Sequence, residues 1–147
     1  MDALTLTPGT MKTQETIASL MTPNPVTIDL YDSLDKANRL FRENKIRHLP
    51  VVNGNDLVGM LSYTDILRMS FGNTFDQSDM NDGIFDMLHI NQVMKHSPVT
   101  VSTSSSIKEA GQILADKEFH ALPVMDDGKL VSIITTTDII KFFLTQL

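Results

Sequence analysis

Apolar positions along the chain fall into short clusters of two different periods, and the same order of clusters occurs twice. Val26 to Ile28 and Val99 to Val101 read as short strands. After each, apolar residues recur three or four apart: Leu34, Ala37, Leu40 and Phe41 in the first case, Ile107, Ala110, Ile113 and Leu114 in the second. That spacing keeps one face of a helix apolar. Ser33 and Ser106 stand where these helices open, and Ser106 with Glu109 has capping-box spacing. A second strand follows at Leu49-Pro50-Val51-Val52 and at Leu122-Pro123-Val124-Met125. Asn53-Gly54 and Asp127-Gly128 are turn signals, because Gly and Asn tolerate positive φ. Third strands at Leu57–Leu61 and Leu130–Ile134 lead into last helices from about Tyr63 and Thr136. Each half therefore predicts β-α-β-β-α, and the chain an α/β fold.

The two halves are copies. Shifted by 73 positions, Ile17–Met69 lies over Ile90–Phe142 without a gap, with 15 of 53 positions identical. The predicted organisation is a tail over residues 1–14, a first repeat over 15–71, an acidic linker over 72–88 and a second repeat over 89–147. A unit of about 55 residues has little core of its own. The last helices, above all Phe142-Phe143-Leu144, are more apolar than a solvated helix should be. The two repeats are therefore expected to pack on each other about a pseudo-two-fold axis.

Composition narrows the function classes. At 41% hydrophobic and 20% charged residues, the 147-residue chain has globular composition. Its formal net charge of −6 speaks against nucleic acid and against an anionic membrane surface. No apolar run approaches the roughly 20 residues of a spanning helix, so no membrane insertion is expected. Met1 to Thr13 shows no secretory signal. The absence of Cys excludes disulfides, thiolate metal sites and Cys nucleophiles, and fits a cytoplasmic protein. With no Trp and nine Met, the core is expected to be aliphatic. The sequence has no H-E-x-x-H, no G-x-S-x-G and no phosphate loop of the G-x-x-x-x-G-K-[ST] type, so no enzyme is expected. Asp76, Asp79, Asp82 and Asp86 do not match a calcium loop, and His89 and His96 read as surface residues; no metal is expected.

The chemistry concentrates where each third strand turns into the last helix. Ser62-Tyr63-Thr64-Asp65 has the counterpart Thr135-Thr136-Thr137-Asp138. One reading is structural: each is an S/T-x-x-D helix cap, with the Asp favoured by the positive end of the helix dipole. The other is functional. A carboxylate there can accept from the paired hydroxyls of a ribose, and the Ser and Thr hydroxyls with free N–H groups can hold a phosphate. Occurrence in both repeats favours a pair of sites, and the two roles can coexist.

The ordered set of motifs resembles a pair of cystathionine β-synthase (CBS) domains, or Bateman module, over about Glu15 to Leu147. The carriers are Met21-Thr22-Pro23-Asn24-Pro25-Val26-Thr27-Ile28 with Val93-Met94-Lys95-His96-Ser97-Pro98-Val99-Thr100-Val101, and the segments from His48-Leu49-Pro50 to Asp65 and from Ala121-Leu122-Pro123 to Asp138. The resemblance implies a regulatory or sensor module binding AMP, ADP or ATP, and less readily S-adenosylmethionine, in clefts between the two repeats. It implies Asp65 and Asp138 as ribose ligands, and Ser62, Thr64, Thr135 and Thr137 facing ribose or phosphate. Val26, Thr27, Ile28, Val99, Thr100 and Val101 would line the adenine. Arg47, His48 and His120 become phosphate candidates; the Arg-His order is inverted relative to the commoner His-Arg, and Ser132 replaces Gly59 in the second repeat. The implied assembly is a homodimer, a disc of four repeats, acting on an effector protein in another chain. The alternative is an interaction module whose nucleotide sites are vestigial.

Overall fold

A computed structural model describes residues 15–71 and 87–147. The tail over residues 1–14 and nearly all of the acidic linker lie outside these residues. In chain order, a 3-10 turn (Ile17–Ser19) precedes β1 (Ile28–Asp29), α1 (Leu34–Asn44), β2 (His48–Asn53), β3 (Asp56–Ser62) and α2 (Tyr63–Phe71). There follow α3 (Ile90–Val93), β4 (Lys95–His96), β5 (Val101–Ser102), α4 (Ile107–Asp116), β6 (Ala121–Asp126), β7 (Lys129–Thr135) and α5 (Thr136–Thr145). The β-α-β-β-α order holds in both repeats. The caps are the expected ones: Ser33 Oγ accepts from the Lys36 N–H at 3.0 Å and Ser106 Oγ from the Glu109 N–H at 2.9 Å. Ahead of α1, burial acts against the Asp32 carboxylate, but hydrogen bonds from Lys36 and the Asp29 N–H outweigh it and hold its pKa below the ordinary value.

The first strand of each repeat is parallel to the second, and the second antiparallel to the third. Both hairpins close with two-residue turns and carry a bulge at the same place, after Val51 and after Val124. The turns differ in kind. Asp127 and Gly128 both have positive φ, as a type I′ turn requires. In the first repeat Asn53 is still in the strand, and only Gly54 of the Gly54-Asn55 turn has positive φ.

The compact units are not the sequence repeats. One unit is Val26–Pro98; the other joins Met1–Pro25 to Val99–Leu147. Their cores correspond position by position. Ile28, Leu34, Ala37, Phe41, Leu49, Val51, Leu61 and Ile66 in the first unit match Val101, Ile107, Ala110, Leu114, Leu122, Val124, Ile134 and Ile139 in the second. Ile17 and Ile90 are the exception. They are equivalent in sequence and fully buried, yet Ile90 belongs to the core of the Val26–Pro98 unit and Ile17 to that of the other. The segment before each first strand thus completes the core built from the other repeat's strands and helices. In the second unit this segment is held by Ile17 N–H to Ser105 O at 2.9 Å and Ile107 N–H to Glu15 O at 2.8 Å.

The same segments cover the third strands. In the Val26–Pro98 unit, β4 pairs with β3 through Gly59–His96 and Met60–Lys95, giving a four-stranded sheet. The other sheet has three strands. There Ser132, fully buried, donates its hydroxyl to the Thr22 carbonyl at 2.6 Å. This explains why the second repeat carries Ser where the first has Gly59: a side-chain bond replaces a strand pair. Ser132→Ala is expected to lower stability by about 1–2 kcal/mol, since the Thr22 carbonyl loses its donor. An unchanged denaturation midpoint would show that this bond does not hold the segment.

Candidate functional site

The register gathers the candidate residues of each repeat at one end of its own sheet. β1 and β2 run parallel, so residues before β1 lie at the end where β2 starts and β3 finishes. His48 is paired with Ser62, and the Tyr63 N–H donates to the Arg47 carbonyl at 2.8 Å. Val26, Thr27, Arg47, His48, Ser62, Thr64 and Asp65 are thus brought to one edge. The second unit repeats the arrangement: Ala121 pairs with Thr135, and the Thr136 N–H donates to the His120 carbonyl at 3.0 Å. Val99, Thr100, His120, Thr135, Thr137 and Asp138 share that edge.

Not every candidate side chain is available there. Ile28 and Val101 point into their own cores and are buried. Val26 and Thr27 are half-buried, whereas Val99, Thr100, Thr64, Thr137, Arg47 and His120 are exposed. Asn24 and Ser97, equivalent in the two repeats, both hold positive φ (60° and 48°) just before a proline. A non-glycine residue with positive φ is uncommon, and its occurrence at both sites makes it a feature of the repeat.

The two helix starts use their identical aspartates differently. Thr135 and Asp138 form a complete capping box: the Asp138 N–H donates to Thr135 Oγ1 at 3.1 Å, and the Thr135 N–H to Asp138 Oδ2 at 2.9 Å. In the first repeat only half of this forms, the Asp65 N–H donating to Ser62 Oγ at 3.0 Å. Asp65 Oδ2 is buried with no hydrogen-bond partner. Its Oδ1 lies 3.7 Å from Nη1 of Arg68, a side chain 72% exposed and so a weak partner. A buried carboxylate oxygen without a donor carries an uncompensated desolvation cost. It is an acceptor ready for a hydroxyl, as a ribose would present. In the second repeat the orphan is instead the Thr136 hydroxyl. Among the described residues no three His, Asp or Glu side chains converge as a metal site would need.

A cavity of about 280 Å3 opens beside the first-repeat edge, lined by Phe41, Arg42, Lys45, Ile46, Arg47 and Tyr63. Phe41 and Tyr63 meet edge to face in its wall, with ring centroids 5.7 Å apart. Arg42, Lys45 and Tyr63 are not among the residues singled out in the sequence. The signal for them is a difference between the copies, whose equivalents are Ala115, Glu118 and Thr136.

Among the described residues no helix is long and apolar enough to cross a membrane. A CBS domain family model matches residues 17–72 and 90–145. A CBS domain-containing protein of Dictyostelium discoideum is 30% identical over 135 residues, covering 89% of this chain and 92% of that protein. The chloroplastic CBS domain-containing protein CBSX2 of Arabidopsis thaliana is 29% identical over 148 residues, covering 86% of this chain and 62% of that protein. A crystal structure of CBSX2 in complex with AMP superposes with a TM-score of 0.72, at 29% identity, covering 88% of this chain and 96% of that one. The inosine-5′-monophosphate dehydrogenase of Korarchaeum cryptofilum is 30% identical over 115 residues, 21% of that enzyme's length, so the module also occurs within enzymes. With the duplicated β-α-β-β-α order and the paired [ST]-x-[ST]-D helix starts, these matches show that the chain belongs to the CBS domain family, as a tandem pair of such domains.

Proposed function

We propose that the protein is a non-catalytic regulatory module that binds an adenine nucleotide (AMP, ADP or ATP) and signals to a separate partner protein. The observation that carries this reading is the orphaned Asp65 Oδ2 at the start of α2, beside Ser62 and the Arg47–His48 strand start. Asp65 would take the ribose hydroxyls, Ser62 and Thr64 the ribose or phosphate, and Arg47 or His48 the phosphate. Val26 and Thr27 would line the adenine. The AMP complex of CBSX2 supports the ligand class. Of the two repeats, the first is the competent one, because the Asp138 carboxylate is already engaged by the Thr135 N–H.

That engagement favours the vestigial reading for the second repeat, where Thr137, Asp138 and His120 would serve structure alone. The module is taken to be a cytoplasmic homodimer, consistent with Ile140 and Leu144, which leave one side of α5 apolar and exposed. Light scattering should then give about twice the 16.4 kDa chain mass; the monomer mass at micromolar concentration would overturn it.

The decisive measurement is thermal shift and calorimetry with AMP, ADP, ATP and S-adenosylmethionine. A ligand at 100 times its Kd stabilises the fold by about 2.7 kcal/mol. Absence of any response at millimolar concentration would overturn adenosine binding and leave the interaction module as the reading.

A further inference from the structure

We propose that Asn53 is a site of spontaneous covalent modification, where the side-chain amide condenses with the Gly54 backbone nitrogen to a succinimide and water opens the ring to aspartate or isoaspartate. In the first step the Gly54 nitrogen attacks Asn53 Cγ and gives up its proton, the Cγ–Nδ2 bond breaks, and ammonia leaves with that proton. In the second step water adds to one ring carbonyl and one ring C–N bond breaks. Opening at Cγ leaves an ordinary aspartate. Opening at the main-chain carbonyl leaves the chain running through the side-chain carboxyl, an isoaspartate. Nothing is oxidised or reduced, water is the only co-reactant, and the site is independent of nucleotide binding.

The fold singles out this asparagine. Attack needs a free N–H on the following residue and no side chain crowding it, which glycine supplies. Asn24 precedes Pro25, which has no N–H to lose. Asn38 and Asn44 lie in α1 and Asn91 in α3, where the following N–H groups serve the helices. The N–H after Asn44 is bonded to the Phe41 carbonyl, and the one after Asn91 to the His89 carbonyl at 3.0 Å. Asn55 precedes Asp56, which carries a side chain and opens β3. Asn53 and Gly54 are both exposed. Among the described residues neither the Asn53 side chain nor the Gly54 N–H has a hydrogen-bond partner. A Cβ at Gly54 would meet nothing within 4 Å, so the surroundings leave the reacting bond open. Ring closure needs rotation about the Asn53 Cα–C bond. A residue that ends a strand at an exposed hairpin is where such local opening costs least.

Turn formation does not account for the amide. The turn is Gly54-Asn55, and Asn53 is still in β2, paired with Asp56. The equivalent pair in the second repeat is Asp126 with Lys129. The hairpin therefore accepts a carboxylate at this place when a cation faces it. Conversion of Asn53 sets a carboxylate against Asp56 instead, and like charges directly opposite on a sheet are destabilising. An isoaspartate goes further, because it adds a methylene to the main chain at the pair that closes the hairpin. The second repeat's hairpin, residues 121–135, contains no Asn and has no amide to lose.

The test is to age the full folded chain in mildly alkaline buffer at physiological temperature and to map its tryptic peptides by mass spectrometry. Fragment ions separate Asn53 from Asn55, and the same chain held in urea gives the rate without the fold. The expected result is the amide-to-acid mass gain at Asn53 in the folded protein, divided between aspartyl and isoaspartyl forms. Asn24, Asn38, Asn44, Asn55 and Asn91 should keep their amides. Retention of the Asn53 amide in the folded protein while the urea sample converts would overturn the proposal, and so would conversion of all these asparagines at one rate. Asn53→Asp supplies one product directly and is expected to lower the urea midpoint. Adding Asp56→Lys, which installs the second repeat's pair, should restore it. An unchanged midpoint in Asn53→Asp would overturn the like-charge consequence.

Discussion

Asp65→Asn is expected to weaken AMP binding about 10- to 150-fold while shifting unfolding stability by less than about 1 kcal/mol. The two halves of this expectation come from the same atom. Asp65 Oδ2 is buried and has no donor, so in the free protein it contributes desolvation and no bond. Replacing the carboxylate relieves that burden and gives up the modest attraction of a negative charge to the helix start, about 0.3–1 kcal/mol. The two changes nearly offset. In the complex the balance differs, because hydrogen bonds from ribose hydroxyls to a charged acceptor contribute about 1.5–3 kcal/mol. Asp138→Asn should behave in the opposite way. Its carboxylate already accepts from the Thr135 N–H, so the variant loses part of a cap, about 0.5–1 kcal/mol of stability, with AMP affinity unchanged. Calorimetry with AMP and urea denaturation on both variants give the crossed pattern. An Asp65→Asn protein with wild-type AMP affinity would remove Asp65 from the site.

That crossed pattern could not be read from the sequence, where Asp65 and Asp138 are the same residue in the same motif. Whether the carboxylate turns back onto its own helix or away from it depends on side-chain geometry that spacing does not encode. What depends on local spacing was legible. The apolar faces of α1 and α4, the Ser33 and Ser106 caps and the two hairpins all fall where neighbouring residues dictate them. Long-range choices were not. Ile17 and Ile90 look alike along the chain, and nothing local says that each completes a core built from the other repeat. The strand Lys95–His96 has two exposed polar residues and no apolar alternation, so its pairing with β3 leaves no pattern to find. Ile28 and Val101 continue the same apolar runs as Val26 and Val99, yet the first strands begin at these residues and turn them into the cores. Arg42 and Lys45 were present throughout as a departure of one repeat from the other, visible once the fold placed them in a common cavity.

Gly59→Ser, the exchange that makes the first repeat match the second, is expected to destabilise the protein by about 1–3 kcal/mol. The substitution looks harmless, because Ser132 occupies the equivalent position, fully buried and hydrogen-bonded. The difference lies in what passes over it. A Cβ at Gly59 would run into Met94 Sδ and come within 2.9 Å of the Lys95 carbonyl oxygen. Met94 is 7% exposed and packed in the core, so its thioether has little space to retreat. Lys95 is backbone in a strand pair, and moving it breaks the Gly59–His96 and Met60–Lys95 contacts that make β4 the fourth strand. Met94→Ala in the Gly59→Ser background should recover part of the loss by clearing the sulfur, while the carbonyl contact persists. The two substitutions are in contact and should therefore be non-additive. Urea denaturation of the four proteins in this cycle measures the coupling, and wild-type stability in Gly59→Ser alone would refute the close approach. Because β3 runs from Gly59 to Ser62 into α2, strain at Gly59 should also reach the helix start. Gly59→Ser should therefore weaken AMP binding at Asp65, whereas Ser132→Ala, in the other unit, should leave it unchanged.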